Sequence, residues 1–338
     1  MFPALLEKLY RHHDLTTDEA AAAMREIMEG RAAPAQIAGL LIALSMKGER
    51  PAEIVGFART MRAHAVKLSK GYDGVFDTCG TGGDRSCTFN VSSLTALVVA
   101  ACGVRVAKHG NRSVSSRCGS ADLFEALGVG VTAPPPVVER CLDEAGVAFF
   151  FAPTFHPSMR HAAQARRDLG VRTAFNLLGP LTNPAGARRQ IVGVPRPEHT
   201  ELVARALALL GAERAWVVHG ADGLDEISTT GYTKVSECRD GVMNTFYVHP
   251  SDFGVPKAEV AALRAADVDA GARVARAVLA GQAGPPRDIV LLNAAAALLV
   301  AGRADTIPRG LEQARDAIDS GRAAAVLEVM VRASKVEA

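Results

Sequence analysis

The chain has 338 residues, of which 49% are hydrophobic and 22% charged, a composition typical of a soluble globular protein with room for two domains. The 38 Lys and Arg residues exceed the 36 Asp and Glu residues by two, so no charge excess favours a nucleic-acid or membrane partner. Apolar runs such as residues 94–104 fall far short of the roughly 20 residues that span a bilayer. The charged N-terminus is unlike a secretory signal, and the six cysteines form no CxxC pair, which predicts reduced thiols in a cytoplasmic protein.

The N-terminal part of the sequence predicts helices only. Thr16 and Glu19 have the spacing of a capping box, and apolar residues recur behind them at helical spacing. Pro34 and Pro51 suit the first positions of two further helices, and Gly48 suits the end of the earlier one. These patterns predict a small helical domain over residues 1–70.

From residue 72 the pattern alternates between short β-rich runs and helices. The strand candidates are residues 75–76, 104–106, 129–131, 147–151, 190–194 and 215–218. Helices are predicted over residues 89–102, 121–127, 137–145 and 198–210, and again over the alanine-rich last 80 residues. Asp240 and Gly241 predict a hairpin turn that adds an antiparallel pair to the sheet.

This alternation predicts an α/β fold, in which a small all-helical N-terminal domain precedes a larger α/β domain with a mainly parallel, helix-covered sheet. We expect residues 71–338 to form the larger domain. Helices around residues 172–188 are expected to join the smaller one.

Three glycines lie between Asp77 and Asp84, after a predicted strand and before a predicted helix. Glycine allows consecutive main-chain N–H groups to turn toward a phosphate, although a tight structural turn explains the glycines equally well. The segment matches neither GxxxxGK[ST] nor GxGxxG. The helix that follows opens with polar side chains that can cap it or bind a diphosphate, namely Thr88, Asn90, Ser92 and Ser93.

A second polar segment, residues 108–116, follows the strand candidate at residues 104–106. It joins the cation of Lys108 to glycine and small hydroxyl-bearing residues. This combination favours binding of phosphate oxygens over the alternative, a polar surface loop without a ligand. Because the carboxyl ends of parallel strands lie at one edge of a sheet, this segment and the glycine loop are predicted to meet there.

Asp225 and Glu226 follow the strand candidate at residues 215–218. Adjacent carboxylates repel unless a cation lies between them, and they suit Mg²⁺ together with substrate phosphates. Taken alone, the pair is better explained as a solvated acidic turn, since adjacent acids are common on surfaces. Arg166 and Arg167 likewise fit either surface ion pairs or a bidentate contact with a substrate carboxylate.

Four segments in this order, residues 80–84, 108–116, 172–184 and 223–226, resemble the anthranilate phosphoribosyltransferase family over nearly the whole chain. The resemblance implies transfer of the 5-phosphoribosyl group from phosphoribosyl diphosphate to the amine of anthranilate, in L-tryptophan biosynthesis. It also implies Mg²⁺ as cofactor, with two ions per active site, and a homodimer formed through the helical domain.

The resemblance further implies which residues bind each ligand. Those for phosphoribosyl diphosphate are Gly80, Gly82, Gly83, Asp84, Thr88, Asn90, Val91, Ser92, Ser93, Lys108, His109, Gly110, Asn111, Arg112, Ser113, Val114, Ser115, Ser116 and Ser120. Those for anthranilate are Gly80, Asn111 and Arg166, with His109, His156 and Pro180 along its ring. The metal ligands are Ser92, Asp225 and Glu226.

The implied reaction needs charge stabilisation more than acid–base catalysis. Loss of diphosphate from the ribose creates negative charge on the leaving group, which Lys108 and the metal would stabilise. The aromatic amine of anthranilate is neutral at pH 7, so no strong general base is expected. Ser93 stands where the family pattern has threonine, and the hydroxyl is retained.

Two other activities on the same fold are alternatives. A pyrimidine nucleoside phosphorylase would lack the carboxylate pair and the Lys-His-Gly-Asn sequence at residues 108–111. A non-catalytic nucleic-acid-binding relative would carry a basic stripe and lose the metal ligands. The presence of Asp225 and Glu226 disfavours both.

Overall fold

Four helices form the N-terminal part of the computed structural model, which describes residues 1–84, 86–113 and 118–335. These are α1 (Phe2–Tyr10), α2 (Thr17–Met28), α3 (Pro34–Lys47) and α4 (Pro51–His64). The capping box of Thr16 and Glu19 opens α2, and the two prolines open α3 and α4, as predicted. No separate prediction covers α1, although Phe2, Leu5 and Leu9 form its buried face.

A seven-stranded sheet lies at the centre of the remaining described chain. Its strands are β1 (Phe76–Gly80), β2 (Val106–Gly110), β3 (Val147–Phe151), β4 (Arg189–Gly193), β5 (Arg214–Gly220), β6 (Thr233–Arg239) and β7 (Val242–Val248). In the order β3-β2-β1-β4-β5-β6-β7, the first five are parallel and the last two pair antiparallel. The hairpin predicted at Asp240 and Gly241 is confirmed, and both residues have positive φ.

Helices cover both faces of the sheet. They are α5 (Val91–Ala101), α6 (Ser120–Ala126), α7 (Pro135–Glu144), α8 (Ala152–Phe155), α9 (Ala163–Leu169), α10 (Phe175–Leu178), α11 (His199–Leu209), α12 (Val268–Leu279), α13 (Pro285–Ala301), α14 (Ile307–Asp319) and α15 (Arg322–Ala333). Short 3-10 helices cover Pro157–Ala162, Gly179–Leu181, Pro250–Phe253 and Val260–Leu263. Within the described residues, no helix combines the length and apolar character needed to cross a membrane.

The predicted fold class, a helical N-terminal domain with a larger α/β domain, is confirmed. One hydrophobic core extends from Phe57 of α4 to Phe175 and Leu178 of α10, and on to Val217 of β5. The division at residue 70 stays a prediction.

Two strand predictions are wrong. Residues 129–131 form a turn between α6 and α7, and Val129 and Val131 are apolar because they pack into the main core without pairing in the sheet. The second strand begins at Val106, later than predicted, and it continues through Lys108 and His109, which pair with β3. These two residues therefore belong to a strand and not to the loop after it.

The strand order reverses between β1 and β4, which lie side by side at the middle of the sheet while β2 and β5 extend it in opposite directions. In open α/β sheets the crevice beyond the carboxyl ends of two such strands is the usual place for a ligand. Gly80 and Gly193 are register partners at these two ends.

Candidate active site

Asp225 lies directly beyond the carboxyl ends of β1 and β4. The main-chain N–H of Gly82 donates a hydrogen bond of 3.0 Å to its Oδ2. A Cβ at residue 80 would overlap Oδ2 and lie 3.0 Å from the carboxyl carbon, and a Cβ at residue 193 would overlap the main-chain oxygen of Asp225. Glycine at both positions therefore allows the acidic loop to sit at the point where the strand order reverses.

Glu226 is held by the start of α5. The main-chain N–H of Ser92, in the first turn of that helix, donates a 3.0 Å hydrogen bond to Oε1. Desolvation raises the pKa of both acids, and the charge of Asp84 adds to this shift for Asp225, as the charge of Asp225 does for Glu226. Among the described residues, no Lys or Arg nitrogen lies within 4.0 Å of either carboxylate.

This donor set fits a magnesium ion. The described part of the chain has no group of three or more His, Cys, Asp or Glu side chains that could bind a metal by themselves. Two adjacent, desolvated carboxylates without a cationic partner are instead the protein share expected for Mg²⁺, which takes its other ligands from substrate phosphates and water.

Lys108 and His109 point to opposite faces of the sheet because successive strand residues alternate. Lys108 is buried, and no hydrogen bond or ion pair joins its ammonium to another described residue. Desolvation raises the pKa of Glu226, and the charge of Lys108 opposes that rise. The same charge also opposes the rise in the pKa of the buried Asp77, so the ammonium lies near both Glu226 and Asp77 and has no carboxylate of the described chain within 4.0 Å.

On the other face, His109 and His156 form a neutral pair. Their ring centroids are 5.3 Å apart, and burial lowers the pKa of His109 to about 3 and that of His156 to about 4. Nδ1 of His109 lies 3.0 Å from the carbonyl oxygen of Gly179, and Nε2 of His156 lies 3.0 Å from that of Thr182. A neutral ring must donate to a carbonyl, so Nε2 of His109 is a free acceptor, and it has no partner among the described residues.

A buried carboxylate fixes the segment that follows α10. Asp77, in β1, accepts hydrogen bonds from the main-chain N–H of His109 at 3.1 Å and from Nδ2 of Asn183 at 2.7 Å. Nδ2 of Asn183 also donates to the carbonyl of Ala107 at 2.8 Å. These bonds place Gly179–Leu181, which contains Pro180, against the pair formed by His109 and His156.

The start of α5, which follows the glycine loop, contacts the residues that follow the second polar segment, and a meeting of the two segments themselves stays a prediction. Nδ2 of Asn90 donates to the carbonyl oxygens of Cys118 and Gly119, at 3.0 and 3.4 Å. Asp122 accepts hydrogen bonds from the main-chain N–H groups of Ser113 and Gly119, at 3.1 and 2.9 Å. It therefore ties the second segment to the start of α6.

Several other predicted residues lie around this junction. Ser120 donates through Oγ to the carbonyl of Asn111 at 3.3 Å, and a Cβ at Gly110 would overlap Oγ of Ser120. Arg112 is engaged by Asp122 and Glu125 in ion pairs of 3.0 and 2.7 Å. Val114, Ser115 and Ser116 lie outside the described residues.

Four further residues predicted to bind phosphoribosyl diphosphate lie in the glycine loop, just after it, or in the first turn of α5. Asp84 accepts a hydrogen bond from the hydroxyl of Ser86, and Thr88 forms an isolated antiparallel bridge with Arg264. Val91 and Ser93 are buried in α5, and the hydroxyl of Ser93 has no hydrogen-bond partner in the described structure.

Arg166 lies on α9, with its guanidinium 5.8 Å from the ring centroid of Phe175. Its side chain is exposed, partial desolvation lowers its pKa, and no carboxylate of the described chain lies within 4.0 Å of it. No hydrogen bond joins it to Gly80 or Asn111 in the described structure.

Arg172 lies at the glycine loop, although it was not predicted as a site residue and entered the prediction only as the first residue of the segment 172–184. Its Nη2 donates to the carbonyl of Thr81 at 3.1 Å, and a Cβ at Gly83, whose φ is +84°, would overlap its guanidinium. Desolvation lowers the pKa of Arg172, and the negative charge of Asp225 opposes this. An arginine within the reach of the glycine loop could be recognised only from the fold.

The sequence is similar over nearly its whole length to proteins of one known family. The family model described as "Glycosyl transferase family, helical bundle domain" matches residues 3–65, and the one described as "Glycosyl transferase family, a/b domain" matches residues 72–324. The chain is 55% identical to an anthranilate phosphoribosyltransferase from Moorella thermoacetica, over 98% of each chain, and 52% identical to one from Syntrophobacter fumaroxidans, over 97% of each. The chain belongs to the anthranilate phosphoribosyltransferase family.

Solved structures agree with this membership. An anthranilate phosphoribosyltransferase from Thermus thermophilus superposes with a TM-score of 0.93 at 45% identity, covering 98% of this chain and 99% of that one. The enzyme from Saccharomyces cerevisiae in complex with PRPP and Mg superposes with a TM-score of 0.90 at 27% identity, covering 98% and 97%. The predicted activity, phosphoribosyl transfer to anthranilate in tryptophan biosynthesis, is thereby confirmed for this family member, against the two alternatives weighed from the sequence.

Proposed function

We propose that the cleft beyond β1 and β4 performs this transfer by holding a magnesium-bound diphosphate on one side and anthranilate on the other. The observation that carries the proposal is the position of Asp225 against Gly80 and Gly193, with Glu226 beside it on Ser92. When bound, the metal would neutralise charge on the departing diphosphate. Ser92, Asp225 and Glu226 would hold it, and the yeast relative was solved with PRPP and Mg.

The diphosphate side requires positive charge that is not already used. Cleavage of the bond at C1 of the ribose leaves positive charge on the sugar and adds negative charge to the diphosphate. The ammonium of Lys108, which has no ion pair among the described residues, and the main-chain N–H groups of Gly83 and Asp84 would stabilise that leaving charge without moving, which is an electrostatic and positioning mechanism.

The anthranilate side requires an apolar surface with a few polar contacts. His109, His156 and the segment with Pro180 supply the surface, and the free Nε2 of His109 offers an acceptor to a hydrogen-bond donor on the ring. Arg166, which has no carboxylate partner within the described chain, would bind the carboxylate of anthranilate. The yeast relative has also been solved with 4-fluoroanthranilate.

Assembly and metal count are further parts of the proposal. Tyr10 and Met46 of the helical domain expose 65% and 76% of their surface, which favours a homodimer through that domain. Sedimentation equilibrium of the wild type and Met46→Asp tests this, and a monomeric wild type would contradict it. Two magnesium ions per site are expected, and calorimetric titration with MgCl₂ at saturating phosphoribosyl diphosphate measures that number.

The decisive experiment follows the loss of anthranilate fluorescence with phosphoribosyl diphosphate and Mg²⁺. Glu226→Ala should lose nearly all activity, because one of the two carboxylates facing the diphosphate is removed. Glu259→Ala, which removes an exposed acid on another loop, is the matched control and should retain it. An active Glu226→Ala enzyme with unchanged magnesium dependence would refute the proposed site.

A further inference from the structure

A buried amide stands behind the acidic pair. Asn293 is the only polar residue among the buried residues of α13, a helix that the structure describes in full. Alanine and leucine surround it in the sequence, and either would fill a helix interior at lower cost, because burying an amide is unfavourable unless its hydrogen bonds are satisfied. The presence of an amide here therefore requires a specific partner.

That partner is the main chain of Ile227, the residue directly after Glu226. Oδ1 of Asn293 accepts from the N–H of Ile227 at 3.0 Å, and Nδ2 donates to the carbonyl of Ile227 at 2.8 Å. Nδ2 also donates to the carbonyl of Ile289, one turn earlier in α13, at 2.8 Å. A single side chain thus binds both main-chain polar groups of one residue and is itself braced by its own helix.

The side chain of Glu226 is held at Oε1 by the main-chain N–H of Ser92, and Asn293 holds the main chain next to it. Glu226 and Asn293 line one small cavity of about 10 Å³, together with Thr78, Ser92 and Thr95. The hydroxyl of Thr95 is buried there and has no partner among the described residues. Because Ser92 binds only Oε1, the direction of the Glu226 side chain also depends on how firmly the main chain next to it is held.

We propose that Asn293 is a positioning residue for the magnesium site, which fixes the main chain of Ile227 so that Glu226 presents its carboxylate toward the diphosphate. This inference rests on the proposed function, because it takes Glu226 as a metal ligand. Asn293 itself contacts neither metal nor substrate. Its effect should therefore appear in metal binding and in the use of phosphoribosyl diphosphate, and not in the use of anthranilate.

The test compares Asn293→Leu and Asn293→Ser with the wild type and with Ser334→Ala. Leucine keeps the branching at Cγ and removes both bonds to Ile227, at the cost of a larger side chain. Serine is smaller, offers a single hydroxyl in place of the amide, and is the variant to use if leucine prevents folding. Ser334 is a matched control, because it is also buried and its Oγ accepts from the main-chain N–H of Gly130 at 2.8 Å, away from the acidic loop. Binding of MnCl₂, with and without phosphoribosyl diphosphate, is measured from the electron paramagnetic resonance signal of free Mn²⁺.

We expect both Asn293 variants to weaken Mn²⁺ binding at least tenfold and to raise the KM for phosphoribosyl diphosphate, with the KM for anthranilate changed less than twofold. Ser334→Ala should lower the melting temperature and leave Mn²⁺ binding unchanged. Wild-type Mn²⁺ affinity in a folded Asn293 variant, or an equal loss in Ser334→Ala, would overturn the inference. Glu226→Ala separates failure of this inference from failure of the proposed function. If Glu226→Ala loses Mn²⁺ binding while the Asn293 variants keep it, only the inference about Asn293 fails. If Glu226→Ala binds Mn²⁺ normally, the proposed function fails as well.

Discussion

The Cα of Gly80 faces the carboxylate of Asp225 so closely that a Cβ on residue 80 would overlap Oδ2. Gly80 is the last residue of β1, and its register partner Gly193 meets the main chain of the same aspartate. The acidic loop can therefore reach the carboxyl ends of β1 and β4 only if neither strand end carries a side chain.

Gly80→Ala should move the Asp225 carboxylate out of place. We expect the KM for phosphoribosyl diphosphate to rise roughly tenfold, equivalent to about 1.4 kcal/mol of lost binding. Gly71→Ala is the control, because nothing lies within 4 Å of a Cβ there. Steady-state kinetics at fixed Mg²⁺ measure both variants, and equal KM values would show that the close approach has no functional role.

Arg172→Gln should impair the use of phosphoribosyl diphosphate. The substitution removes positive charge beside Gly83 and the hydrogen bond to Thr81, so we expect a KM for phosphoribosyl diphosphate raised about tenfold. The KM for anthranilate should change less than twofold. Arg167→Gln provides the comparison, because Arg167 is exposed and donates to Gln164. An effect on anthranilate alone would contradict this placement of Arg172.

Stability should fall as the pH is lowered, because His109 and His156 are buried as neutral rings. Their pKa values, about 3 and about 4, lie below the ordinary 6.5, so between pH 6.5 and about pH 4 the unfolded chain binds more protons than the native one. Each histidine should then remove about 1.4 kcal/mol of unfolding free energy for each pH unit of acidification.

Urea denaturation at pH 7, 6 and 5 measures this slope. His109→Gln should make it shallower by an amount that grows on acidification to about 1.4 kcal/mol per pH unit near pH 5, since the variant has one fewer ring to protonate on unfolding. His13→Gln, at an exposed position, should leave the slope as in the wild type. Identical slopes for the wild type and His109→Gln would mean that the ring takes up its proton in the native state.

Asn183→Ala should affect both stability and anthranilate binding. It leaves the buried carboxylate of Asp77 with one fewer donor, which costs about 1–3 kcal/mol. It also releases the segment that carries Pro180, so we expect a higher KM for anthranilate. Asn244→Ala, on the exposed side of β7, should do neither. Thermal unfolding and steady-state kinetics decide the matter, and a destabilised variant with normal KM would confine Asn183 to a structural role.

The sequence predicted the helices and most strands because their signals are local. Thr16 with Glu19, Pro34, Pro51 and the Asp240-Gly241 turn each act within a few residues of the feature they specify. Residues 129–131 misled the analysis because an apolar run is equally suited to a strand and to a turn that packs into the core.

The short segments proposed to bind ligands could be recognised in the sequence, whereas the residues that hold those segments in place could not. Gly82, Lys108 and Glu226 belong to short segments whose residue types suit a diphosphate and a metal. Asn293 and Arg172 reach the same cleft from α13 and from the loop before α10, and no local pattern marks an amide or a guanidinium as a partner for a distant main chain. Such contacts depend on the tertiary fold alone.

The alternation along β2 limits how this enzyme can vary. Lys108 and His109 lie on opposite faces because they are neighbours in one strand, and the proposed function gives the leaving group to one face and the acceptor to the other. Inserting or deleting a single residue between Val106 and Lys108 would exchange the two side chains across the sheet. An imidazole would then stand at the diphosphate and an ammonium among the aromatic rings. Length changes in relatives should accordingly be confined to the connection after Gly110, where they leave this pairing intact.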